Sequence, residues 1–162
     1  MKPSVRGWRY RGEPDKEPLH YKGCGLDDVY LLSGYEVEKT PHGEGVSVKN
    51  LDELRKAIGY YLASQKKALS GKELRFLRDE MNLTQGHLGR LIGLTSQQVA
   101  RWEKEQCDIS GPADLAVRKL FLEHIGKNIN LRELAESLEE NESRINERAY
   151  FENTGGGWRK AA

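Results

Sequence analysis

The stretch MNLTQGHLGRLIGLTSQQVARWEK, residues 81–104, limits what this chain can fold into more than any other, because it specifies two short helices at a fixed angle. Thr84 can cap a helix that begins at Gln85, and Thr95 one that begins at Ser96, each hydroxyl accepting from an orphan backbone N–H. Leu88, Leu91 and Ile92 form an apolar stripe on the first helix, and Val99 and Trp102 form one on the second. Gly89 stands where a side chain would hold crossing helices apart. Gly93 stands in the connecting turn, which calls for positive φ.

A helix turning about 100° per residue that buries Val99 and Trp102 presents Ser96, Gln97, Ala100, Arg101 and Lys104 on its other side. These residue types suit a DNA major groove. Gln97 can pair bidentately with adenine, Arg101 with guanine, and Ser96 with either kind of edge, while Ala100 admits a thymine methyl. Gln98 lies on the flank. Lys104, at the far end, and Gln85, at the start of the preceding helix, are placed for phosphates. The bland alternative is an αα-hairpin that only packs in a core, with an ordinary solvated outer face.

The offsets of Gln85, Gly89, Gly93, Leu94, Val99 and Trp102, with the closing run Arg101-Trp102-Glu103-Lys104, resemble the helix-turn-helix of the Xre/lambda-repressor-like DNA-binding family. That resemblance implies a sequence-specific transcriptional regulator, a repressor with double-stranded DNA as its partner. Selective reading by so small a unit implies a homodimer reading two half-sites. The region from Tyr21 to Trp102 further resembles Xre-type regulators related to the MqsA/YgiT-type antitoxins, in which a zinc-binding module precedes the helix-turn-helix. This implies a toxin protein as a second partner. Only Cys24 stands where such a module needs paired cysteines, and with His20 and His42 it makes an incomplete ligand set. The expectation is a degenerate module without metal, and no cofactor.

The expected fold class is α+β, a small N-terminal β-module followed by an all-α helix-turn-helix domain of the lambda-repressor-like type. Residues 1–18, with Arg6, Arg9, Arg11, Trp8 and Tyr10, read as a flexible basic arm. Residues 19–49 read as the β-module, with strands at 29–32, 35–38 and 46–48. Residues 50–69 are a linking helix capped by Asn50, bearing Leu51, Leu54, Ile58, Tyr61 and Leu62 on one stripe. Residues 70–141 hold the helix-turn-helix domain and its C-terminal helices. Ser70 and Glu73 form a capping box there, Leu74 and Leu77 face the core, and Arg75 and Arg78 are free to face solvent or phosphate. A helix opening at Gly111-Pro112 carries more apolar surface than one core needs, which suits a dimer seam, and Asn130 to Glu133 open a short helix. Residues 142–162, with three consecutive glycines, read as a flexible tail.

Net charge is +1 over 162 residues, so no global basic signature marks the chain, and any attraction for nucleic acid must be local. With two cysteines and no CxxC, the chain has no disulfide framework and suits a reducing cytoplasm. No apolar run reaches the roughly 20 residues of a bilayer span, so no membrane role is expected. There is no glycine-rich phosphate loop, HExxH or nucleophile elbow, and the chain does not read as an enzyme. The rival from another class is a protein-interaction module that uses the helical hairpin only as scaffold.

Overall fold

The computed structural model describes residues 17–66, 68–140 and 148–161. The fold is α+β: among the described residues, N-terminal strands come first, then six helices, then two further strands. The helices follow the apolar periodicity closely. They are α1 (Leu51–Ser64), α2 (Gly71–Glu80), α3 (Gln85–Ile92), α4 (Ser96–Glu103), α5 (Gly111–His124) and α6 (Leu131–Glu140). The Ser70 hydroxyl accepts from Glu73 N at 3.2 Å while the Glu73 carboxylate accepts from Ser70 N at 2.9 Å, so the capping box at α2 is complete. Asn50 differs from the expectation. It adopts left-handed backbone, φ 47°, and its side chain makes no cap bond to α1, because a residue in that conformation cannot aim its amide at the first turn.

The N-terminal strands are joined in one of their sheets by two strands from the C-terminal part of the sequence. β1 (Leu19–His20), β2 (Val29–Leu31), β5 (Ala149–Asn153) and β6 (Trp158–Lys160) make one sheet in the order β1-β2-β5-β6, with β2 and β5 parallel. β3 (Tyr35–Thr40) and β4 (Gly43–Val48) form a separate antiparallel ribbon. Residues 148–161 are therefore structural, contrary to the expected tail. The three glycines that suggested a mobile end lie in the β5–β6 turn, where Gly155 and Gly157 have φ of 68° and 117°. Phe151 is fully buried beside Leu31, its register partner on β2. The remainder of the tail reading, and the basic arm up to residue 16, fall outside the described residues.

Helix α1 packs against both the sheet and the other helices. Its Leu54, Ile58 and Leu62 are buried between the sheet and the helical part. A Cβ on Gly59 would come within 2.2 Å of the Phe121 ring, so α5 packs directly on the α1 backbone there. Arg118 of α5, with no exposed surface, donates to Leu62 O at 2.7 Å and to Lys66 O, and pairs with Asp114. Asp114 in turn accepts from Leu69 N at 2.9 Å, so the orphan carbonyls at the end of α1 and the turn into α2 are satisfied by one ion pair whose arginine is fully buried. Among the described residues, no helix is long and apolar enough to cross a membrane.

Replacing Phe151 with alanine should lower unfolding free energy by about 3–5 kcal/mol, as expected for a fully buried ring. Urea titration followed by tryptophan fluorescence checks this, and an unchanged midpoint would mean that the C-terminal strands are not part of the fold.

Candidate nucleic-acid interface

Two hydroxyl caps start the helical pair. Thr84 Oγ1 accepts from His87 N at 3.0 Å and Thr95 Oγ1 from Gln98 N at 3.2 Å. Between the helices Gly93 takes φ 76°, and a Cβ on Gly89 would stand 2.7 Å from Leu94 O, so both glycines are required by the crossing. Leu88 and Val99 are fully buried, and Trp102 nearly so. Leu91 is not part of the stripe: 52% of its surface is exposed. Leu88, Gly89 and Ile92 share one side of α3, and Leu91 is rotated away from its centre by roughly 110° at 100° per residue.

The position of α4 is set by an ion pair that sequence reasoning missed. Arg78, expected at the surface, is 11% exposed at its side chain and reaches across to Glu103, which is 5% exposed. Its Nε donates to Glu103 Oε2 at 2.7 Å, Nη2 to Oε1 at 2.8 Å, and Nη1 to Leu83 O at 2.9 Å. Gln85 Nε2 donates to the same carboxylate at 3.3 Å. One carboxylate at the end of α4 thus holds α2 and the start of α3 together. The bond to Glu103 raises the guanidinium pKa of Arg78 above its ordinary value. A raised cation pKa contributes stability that is complete below the unfolded value and is lost only as pH rises through the folded one, so the arginine keeps its charge throughout the neutral range.

What this lock leaves outward is the face expected from the sequence. Ser96, Gln97, Arg101 and Lys104 are exposed and Ala100 is half-buried between them. Among the described residues, no side-chain hydrogen bond or ion pair engages Gln97, Arg101 or Lys104. Gln98 lies on the flank, bonded to Cys107 Sγ at 3.6 Å. Gln85 is half-buried with its amide nitrogen turned to Glu103. Arg90 is exposed on α3.

His20, Cys24 and His42 are not brought together. Cys24 is buried, its thiol donates to Tyr21 O at 3.7 Å, and burial pushes its pKa up, so it stays protonated at neutral pH. His20 stacks on Tyr30 with ring centroids 4.6 Å apart, and its Nε2 donates to Asp27 O at 2.6 Å. His42 sits in the β3–β4 turn. Among the described residues, no three His, Cys, Asp or Glu side chains are grouped to hold a metal ion. Compared with protein-family models, with curated proteins and with solved structures, the chain gives no match.

Replacing Arg78 with alanine leaves the Glu103 carboxylate buried without its cation and should cost about 3–5 kcal/mol in denaturant unfolding; a loss below roughly 1 kcal/mol, the scale of a surface pair, would show that the lock is dispensable. With a disulfide reagent on the native protein, exposed Cys107 should react at once and Cys24 only after unfolding. Equal rates would contradict the buried thiol.

Proposed function

We propose that this chain is a sequence-specific DNA-binding transcriptional regulator, a repressor, that reads a half-site with α4 and binds as a homodimer in the cytoplasm. The observation that carries this reading is the uncommitted outer face of α4, set on a helix whose opposite side and C-terminal end are held rigidly. Ser96 and Gln97 occupy its first turn, the part that approaches base edges in helix-turn-helix docking. Arg101 continues the same face one turn on. Lys104 and the first turn of α3 flank it for phosphate contact. The resemblance to MqsA/YgiT-type antitoxins adds a toxin protein as a second partner in this reading.

Gln97→Ala and Arg101→Ala should each weaken binding to the preferred duplex by about 1–3 kcal/mol and relax preference at one base position. Lys104→Ala should weaken binding to all duplexes alike and make the salt dependence shallower by about one unit of slope. Fluorescence anisotropy over a salt series, with single-base variants of the site, measures both. Equal losses on every duplex for Gln97→Ala and Arg101→Ala would refute base reading. Failure of the wild-type chain to bind any duplex would favour the interaction-module reading.

A further inference from the structure

Among the described residues, the β3–β4 ribbon packs on the core through Tyr35 and Val48 at its base and is otherwise largely exposed, and its two edges are chemically unlike. Lys49 N donates to Gly34 O at 2.9 Å, so the backbone groups of this pair face each other across the ribbon. In an antiparallel ladder every second pair does the same. The register then gives the inward bonds to Glu36/Ser47, Glu38/Gly45 and Thr40/Gly43. The backbone groups of Glu44, Val46 and Val48 therefore point to the open edge of β4, and those of Tyr35, Val37 and Lys39 to the open edge of β3. Among the described residues, no other strand pairs with either edge.

We infer that a second copy of this chain adds to the β4 edge, so that two ribbons join through a two-fold axis at Val46 into one four-stranded antiparallel sheet. In that register Val46 exchanges both outward bonds with its counterpart, Glu44 exchanges with Val48 of the second copy, and Gly45 stands opposite Ser47. No like charges meet. The β3 edge is closed to the same operation: two-fold registers centred on Glu36, Val37, Glu38 or Lys39 each place glutamates, or two lysines, directly opposite one another, which is destabilising. β4 has no proline or lysine, the residues that commonly guard an exposed edge. Tyr35, Val37, Val46 and Val48 share one face by alternation. Val37 and Val46 are 47% and 44% exposed, and pairing at β4 sets two valines of each copy side by side in one row.

The inference deepens the homodimeric part of the proposed function, and its test needs no DNA. Val46→Pro deletes the central outward donor and leaves the ribbon intact, since Val46 makes no bond to β3. Sedimentation velocity on the full chain at micromolar concentrations should show a wild-type dimer whose dissociation constant rises about tenfold or more in Val46→Pro. Val46→Lys and Val46→Glu place like charges at the two-fold axis. Each should be monomeric alone, and an equimolar mixture should restore the dimer. A monomeric wild type, an unaffected dimer in Val46→Pro, or a mixture that stays monomeric would each overturn the inference. Binding of Val46→Pro to a duplex carrying one half-site should match wild type, which separates loss of dimerisation from loss of DNA reading.

Discussion

The bidentate bond between Arg78 and Glu103 is the contact on which the arrangement of the candidate site depends. Helix α4 has eight residues and buries only Val99 and Trp102, too little to fix its own orientation. Anchoring its last residue to α2, and through Gln85 to the start of α3, removes the remaining freedom to rotate or slide. The close approach of α2 to the end of α4 is of the same kind: a Cβ on Gly71 would stand 2.3 Å from Trp102 O. A charge pair this deep in the fold is costly to desolvate, and its value lies in specifying one geometry rather than in net stability. The proposed DNA reading by α4 would need such a fixed geometry. Side chains that discriminate base edges must be carried on a rigid element.

A second buried cation does comparable work at the other end of the helical part. Arg118 ties the end of α1 to α5, and Asp114 ties the same arginine to the turn that enters α2. The sheet is joined to this assembly through α1 and closed by strands from both ends of the chain, so that Leu31 and Phe151, 120 positions apart in sequence, form one layer of the core. The β3–β4 ribbon is the exception. Among the described residues, its Tyr35 and Val48, at the base, pack on the core, and most of the rest is exposed.

Features that depend on neighbouring residues were legible in the sequence. The extents of the helices, the caps at Thr84, Thr95 and Ser70, the turn at Gly93 and the close approach at Gly89 all follow from local spacing. So does the outer face of α4, because burial of Val99 and Trp102 dictates it. Features that depend on partners distant in sequence were not. Arg78 looked like a surface residue because its partner lies 25 positions away, and nothing near it signals a buried carboxylate. The C-terminal strands were masked by glycines that serve a turn, and their pairing partner lies near the other end of the chain. Asn50 shows the converse limit, since a favoured capping residue does not cap when the entering chain imposes left-handed backbone.

The central claim is that α4 reads DNA sequence, and selection of duplexes from a random pool by the full chain tests it most directly. The account expects enrichment of a palindrome whose half-sites are spaced by about one turn of DNA, roughly 10 base pairs centre to centre. A pool that remains without sequence preference after repeated selection, at a salt concentration where nonspecific binding is suppressed, would contradict it.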